Sequence, residues 1–316
     1  MMRRALKFLY SKTPIWFRLK YSKQWRQRSA VMRRMLDEQD VDACLRDTTV
    51  FFLIGSGRCG TQLISSMLNK SSDSLVLHEP CRFPDVGSRH EARKDPAFAR
   101  EYVETFRKYE IYKKIRDSQC RYFGEVSSPL RCLGQALKNA MPHGHYFILV
   151  RDGRDGVPSA LNRQTPRRGK EHHTPIYPLP GDPYHDSWND MSPFEQACWW
   201  WMDAYRMMLD HLSGCPVVHF EWVLKDYDYL KRVVLDPVGL DLTREQWKAS
   251  VTRKSDNAAR QYVVKKWQDL EPGERDTFDR ICGDVRRQLG YTEDDMPLQW
   301  GTDAFDNSAR PAPVTS

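Results

Sequence analysis

Five short apolar runs constrain the fold more than any other feature of the chain: Val50–Ile54 (VFFLI), Leu75–His78 (LVLH), Tyr122–Val126 (YFGEV), Tyr146–Val150 (YFILV) and Val217–Phe220 (VVHF). They have strand length, and apolar residues do not alternate with polar ones, so both faces of each strand must be covered. Helical stretches separate them, at Gly60–Asn69, Ala97–Tyr109, Leu130–Asn139, Gly156–Arg163, Pro193–Leu212 and Arg275–Leu289. Strands buried on both faces and spaced by helices predict an α/β fold, a three-layer sandwich with a central parallel sheet of about five strands. The longest unbroken apolar run, Ala197–Met202, has six residues. A membrane-spanning helix needs about 20, so none is expected. The basic start is not followed by an apolar stretch of signal-peptide length.

Charge divides the chain more sharply than its net value of +7 suggests. Residues 1–36 hold eleven Lys/Arg and no acid, while the rest holds 38 basic and 42 acidic residues. The expected organisation is a basic N-terminal arm (1–47), a catalytic domain (48–300) and a flexible tail (301–316). The arm mixes its cations with Phe8, Trp16, Phe17 and Trp25, and Pro14 interrupts any single helix. It reads either as a solvated extension or as a segment lying on an anionic membrane surface. Nothing else in the chain resembles a nucleic-acid module, and no nucleic-acid partner is expected. The eight cysteines form no CxxC pair, which weakens zinc and thioredoxin-like readings and leaves free thiols. Residues 164–192 are Pro-rich and polar, and are expected to form one long loop or lid over the body. Its His172, His173 and His185 read first as solvated.

Two segments carry chemistry. The first strand runs into Gly55-Ser56-Gly57-Arg58-Cys59-Gly60-Thr61 and then a helix. A strand, a glycine turn and a helix N-terminus make an anion site, because backbone N–H groups and the helix dipole converge on it. This arrangement makes the sandwich P-loop NTPase-like. It is not a Walker A sequence, however, since no GKS or GKT is present and an arginine stands where the lysine is expected. A kinase or ATPase therefore fits poorly. The fourth strand continues into Leu149-Val150-Arg151-Asp152-Gly153-Arg154-Asp155-Gly156-Val157-Pro158-Ser159. Arg151 stands at the carboxyl end of a strand, where α/β folds place ligands. Ser159 follows eight residues later, early in a helix that Asp155 could cap, with Pro158 tolerable in a first turn.

Taken in order, these segments resemble the sulfotransferase family that uses 3′-phosphoadenosine 5′-phosphosulfate, in the flavour of its carbohydrate and tyrosylprotein branch and of bacterial type. Three further stretches agree: His78-Glu79-Pro80, Gly124-Glu125-Val126-Ser127-Ser128-Pro129 and Lys265-Lys266-Trp267. The resemblance spans roughly residues 48–293. It implies that Gly57, Arg58, Cys59, Gly60, Thr61 and Gln62 hold the 5′-phosphosulfate, with Arg58 on the leaving oxygen and sulfuryl group. It implies that Arg151 and Ser159 hold the 3′-phosphate. Lys265 or Lys266 would close over the donor, and Trp267 would cover the nucleotide. No metal is expected, since cationic side chains can stabilise a sulfuryl group. The acceptor would be a hydroxyl, of a carbohydrate or glycolipid, and the enzyme cytoplasmic, at the inner membrane face if the arm binds lipid. A tyrosylprotein-type acceptor is the runner-up.

The branch resemblance points to Glu79 as the general base, with His78 as competitor. Strand alternation would put these neighbours on opposite faces, so that one alone reaches the donor. Three departures stand out. Cys59 replaces a loop serine and brings a thiol near cations, Gln62 replaces a threonine, and Pro158 is unusual. Glu125 could support the acceptor or the core. Of Trp199, Trp200 and Trp201, at least one should enter the core and one could line the acceptor cleft, because three adjacent helix positions cannot share a face.

Overall fold

A computed structural model describes residues 26–27, 38–162, 176–252 and 266–293. Lys265, His172, His173 and all but two residues of the 1–36 arm lie outside these. The five expected strands are present: β1 Thr49–Gly55, β2 Ser74–His78, β3 Tyr122–Ser127, β4 His145–Val150 and β5 Val217–His219. They form one sheet in the order β2-β3-β1-β4-β5. Every pairing is parallel. β1 lies at the centre, and the chain leaves it first toward β2 and later returns on its other side as β4. The crevice at the carboxyl ends of β1 and β4 is the switch point where such sheets take ligands.

Apolar runs without alternation are explained by where the side chains go. Val50, Phe52 and Ile54 of β1 point into one core with Ile148 and Val150. Phe51 and Leu53 point into a second core with Phe147 and Leu149. Helices cover both faces. α1 (Glu38–Asp47) buries Val41 and Leu45 against the first core, so these ten residues, grouped with the arm in the sequence, pack on the domain. α2 (Thr61–Leu68) buries Ile64, Met67 and Leu68 in the second. α3 (Arg82–Lys94) has no counterpart in the sequence reading, because its mean hydropathy is low and its buried face holds polar side chains, among them Asp85, Ser88, Arg89 and His90. α4 (Pro96–Tyr102) continues through a π-helical turn, Val103–Arg107, into α5 (Lys108–Ser118), nine residues beyond the expected end.

A 3₁₀ turn, Pro129–Cys132, and α6 (Gly134–Ala140) follow β3. α7 (Gly153–Asn162) follows β4, and α8 (Pro193–His211) is fixed at its start by a Ser192/Glu195 capping box. Trp199 and Trp201 are fully buried and Trp200 is half-buried. α9 (Phe220–Lys225), a helical run over Tyr227–Leu230, Lys231–Leu235 and Asp236–Val238, α10 (Arg244–Val251) and α11 (Pro272–Gln288) follow. No helix among the described residues is long and apolar enough to cross a membrane.

Candidate active site

The loop between β1 and α2 is shaped for an anion. Gly57, Arg58 and Gly60 have φ of 86°, 62° and 79°. Left-handed backbone in successive residues turns N–H groups inward into a concave nest. α2 begins at Gly60 without a side-chain cap, so no side chain of its N-cap covers the positive end of the helix. A Cβ on Gly60 would lie 2.0 Å from the Phe220 ring, which explains glycine there twice over. A Cβ on Gly57 would meet Ser128 Oγ and the Trp200 ring at 3.4 Å, which locates both beside the loop.

Side chains from distant segments hold this loop. Arg131 Nη1 donates to the Ser56 carbonyl at 3.0 Å, with its guanidinium 4.7 Å over the Trp200 ring. The Tyr205 hydroxyl lies 3.1 Å from Ser56 Oγ, donates to Leu149 O at 3.2 Å and accepts from Arg151 N at 3.4 Å. One phenol thus ties the end of β1 to the end of β4. Nothing in the spacing of the motifs announces Arg131 or Tyr205, because they act by reaching across the fold.

The second segment meets the first. Arg58 Nε donates to Ser159 Oγ at 3.1 Å, and Arg151 Nη1 donates to the Arg58 carbonyl at 3.4 Å. Arg58, Arg151 and Ser159 therefore form one cationic cluster, and Arg58 leans toward the part of the site that the resemblance gives to the 3′-phosphate. Arg151 Nη2 pairs with Asp155 at 3.2 Å, and its guanidinium lies 5.9 Å over Phe220. α7 starts earlier than expected. Asp152 accepts from Arg154 N through Oδ1 and from Gly156 N through its carbonyl, so Asp152 caps the helix and Asp155 does not. Pro158 consequently sits inside the helix rather than in its first turn. Asp152 also binds the Arg154 and Arg286 guanidiniums, and its N–H donates to Glu221 Oε1 at 2.9 Å.

Glu79 follows β2 with φ 47°. That left-handed residue breaks the strand alternation, so His78 and Glu79 do not face opposite ways. His78 Nε2 lies 2.9 Å from Thr61 Oγ1 and 3.9 Å from Glu79 Oε1. Burial lowers the His78 pKa, against the opposing pull of Glu79. Glu79 Oε1 accepts from Ser128 Oγ at 2.6 Å, and Oε2 lies 3.5 Å from Arg82 Nε. Ser128 thus holds the carboxylate beside Gly57 of the loop. The stretch containing Ser128 was visible in the sequence, but its role was not.

Other expectations resolve differently. Cys59 is fully buried, and burial pushes its thiol up to about 11, so it is not the reactive thiol its cationic surroundings suggest. Its N–H can still face the loop. Gln62 is exposed on the first turn of α2. Thr61 is buried, its hydroxyl bound to His78. Glu125 is fully buried and pairs with Arg107, which also approaches Asp85 of α3 at 3.4 Å. This pairing clamps α3 to β3 and takes no place at the mouth of the site. Trp267 packs on Phe278 at 5.0 Å with Arg154 5.9 Å over its ring, which puts it beside the second segment. Lys266 is exposed, its N–H bound to Asp269. In the described part of the long loop, Tyr177 lies against His90 and Trp188 against Trp199, while His185 is exposed beside Asp186. A cavity of about 430 Å³ among Lys138, His145, Cys215 and Pro237 lies at the amino ends of β4 and β5, away from all of this.

No protein-family model matches the chain, and no curated protein matches it in sequence. Two solved structures are similar in shape. The sulfotransferase domain from the Synechococcus PCC 7002 olefin synthase aligns with a TM-score of 0.48 at 13% identity, over 80% of this chain and 97% of that one. A sulfotransferase from Alicyclobacillus acidocaldarius aligns with a TM-score of 0.38 at 17% identity, over 76% of this chain and 94% of that one. Values of this size leave the assignment of function to the site itself.

Proposed function

We propose that this chain is a sulfotransferase that moves a sulfuryl group from 3′-phosphoadenosine 5′-phosphosulfate to an acceptor hydroxyl. The observation that carries this reading is the meeting of two anion-binding segments in one crevice, Arg58 on Ser159 and Arg151 on the Arg58 carbonyl. A nucleotide bearing anionic groups on both its 5′ and 3′ positions requires two such sites side by side. The donor supplies an activated sulfuryl group, and the chain's residues bind, orient and move a proton. The N–H groups of Gly57, Cys59, Gly60 and Thr61 hold the 5′ end at the start of α2. Arg151 and Ser159 hold the 3′ end, with Arg58 between the two.

Glu79 takes the acceptor proton. Its Oε1 is fixed by Ser128 beside the loop, and a fixed carboxylate loses no orientation when it acts. His78 is the less available base in this arrangement, because its Nε2 is engaged by Thr61. Lys265 or Lys266 closing over the donor, and Trp267 against the nucleotide, complete the proposal. The carbohydrate or glycolipid acceptor and a location at the inner membrane face rest on the sequence alone. Deleting residues 1–36 should reduce sedimentation with anionic liposomes, and unchanged binding discards the membrane part.

The test is thermal stabilisation by adenosine 3′,5′-bisphosphate, with 5′-AMP and magnesium-ATP as controls. A ligand at a hundred times its Kd adds about 2.7 kcal/mol. Selective stabilisation that disappears in Arg151→Ala is expected. A response to magnesium-ATP without one to the bisphosphate would overturn the reading in favour of an atypical nucleotide kinase.

A further inference from the structure

We propose that the acceptor carries an anionic group of its own, a carboxylate, sulfate or phosphate ester, and that Arg89, assisted by Arg131, is the site that binds it. This rests on the sulfotransferase reading above and names the acceptor class that reading leaves open. α3 puts Arg82, Arg89 and Arg93 on one face, since seven and four residues are close to whole helical turns. The two outer arginines have carboxylates. Arg82 pairs with Glu79 at 3.5 Å, and Arg93 with Asp203 at 2.8 Å. The middle one has no ion pair among the described residues. Arg89 is 6% exposed, and its Nε is buried without a hydrogen-bond acceptor among the described residues.

A second cation stands close by. Arg131, 1% exposed in the turn that packs against α3, spends Nη1 on the Ser56 carbonyl. Its Nε and Nη2 are buried and have no acceptor among the described residues. Burial and the charge of Arg131 push the Arg89 guanidinium down to about 9, which still leaves it a cation at neutral pH. The charge of Glu79 reaches Arg89, but no carboxylate forms an ion pair with either guanidinium among the described residues; two buried guanidiniums with unused donors repel each other and are poorly solvated. An anion from a ligand removes both penalties, and the guanidinium fork matches the oxygens of a carboxylate, sulfate or phosphate.

Placement supports an acceptor rather than the donor. Arg89 lies on the helix that begins three residues after the proposed base, two turns beyond Arg82, or about 10 Å along the axis. An acceptor can therefore present its hydroxyl to Glu79 while its charged group lies along α3. A neutral acceptor would leave the buried Arg89 Nε without an acceptor.

The experiment uses the full chain saturated with adenosine 3′,5′-bisphosphate. Thermal midpoints are measured against sodium sulfate, with sodium chloride at equal ionic strength as control. A sulfate-specific rise is expected in the native protein. Its half-maximal concentration should increase at least tenfold in Arg89→Lys, which keeps the charge and loses the fork. The rise should vanish in Arg89→Met. Arg89→Met should also melt higher than the native protein when sulfate is absent, because a buried charge without an ion pair among the described residues has been removed. An undiminished sulfate response in both variants would place the anion elsewhere and overturn the proposal. So would the absence of any sulfate response while the bisphosphate stabilises normally, and so would a lower midpoint for Arg89→Met in chloride. Failure of the bisphosphate itself to stabilise would remove the donor reading, and this inference with it.

Discussion

Replacing Gly60 by alanine tests the phosphate loop as a piece of geometry. Two costs add at this position. The residue has φ 79°, and a left-handed residue with a Cβ costs roughly 1–2 kcal/mol. The new Cβ would also start 2.0 Å from the Phe220 ring, a core side chain that is 1% exposed. Forced overpacking of that kind costs roughly 1–3 kcal/mol. Together they come to about 2–5 kcal/mol, against a typical total stability of about 5–15 kcal/mol. At about 2–4 °C per kcal/mol, the midpoint should fall by roughly 4–20 °C. Gly57→Ala supplies the control. It has the same backbone cost at φ 86°, but its Cβ has ordinary contacts at 3.4 Å. It should lose only about 1–2 kcal/mol, and its effect should appear instead in weakened nucleotide binding at the loop. Thermal unfolding of both variants, with Phe220→Leu added to complete a double-mutant cycle on Gly60→Ala, isolates the clash. A compensating coupling of about 1 kcal/mol or more is expected between positions 60 and 220. Equal losses for the two alanine variants, with no coupling, would refute the argument.

Glu79→Gln should abolish turnover and leave stabilisation by the bisphosphate unchanged; near-native turnover would remove Glu79 as base. Ser128→Ala deletes the 2.6 Å hydrogen bond to Glu79, and a bond to a charged group is worth about 1.5–3 kcal/mol, so turnover should fall roughly ten- to a hundredfold in a rate assay with native folding. Native protein treated with iodoacetamide near neutral pH should show no modification at Cys59 by peptide mass mapping, because its thiol is buried and raised to about 11; labelling should follow denaturation. Burial raises the Glu221 carboxyl to about 7. The unfolded chain releases this proton near pH 4.5 and the folded one near 7, so the folded state binds more protons in that window and stability falls as pH rises through it. Glu221→Gln should flatten the midpoint between pH 5 and 7, and an unchanged slope would assign the dependence to another group.

Much of this was legible in the chain. The strands announce themselves because a parallel strand covered by helices on both sides must be apolar on both faces, and the central β1 shows this by sending Phe52 and Phe51 into different cores. The phosphate loop is equally local, since glycines and a following helix specify a nest without help from elsewhere. Helices with polar buried faces were not legible. α3 buries Asp85 and Arg89 instead of aliphatic side chains, so its hydrophobic period is absent. The start of α7 was displaced by three residues because Asp152 and Asp155 are both competent caps, and Arg151 claims one of them.

The sheet, the loop and the candidates Arg58, Glu79, Arg151 and Ser159 can be read from local sequence, because strand burial, left-handed turns and helix starts depend on neighbours along the chain. Which groups meet is set by the packing of distant segments. It set Arg58 on Ser159, Ser128 on Glu79 and Tyr205 across the ends of two strands. It sealed Cys59 from solvent and brought His78 and Glu79 to the same edge of the site. These outcomes depend on distances between segments separated by 49 to 149 residues, and on burial, which no local pattern encodes. The buried Arg89 belongs to the same class: its place on a helix is a local property, and the absence of an acceptor for its Nε among the described residues is a property of the whole fold.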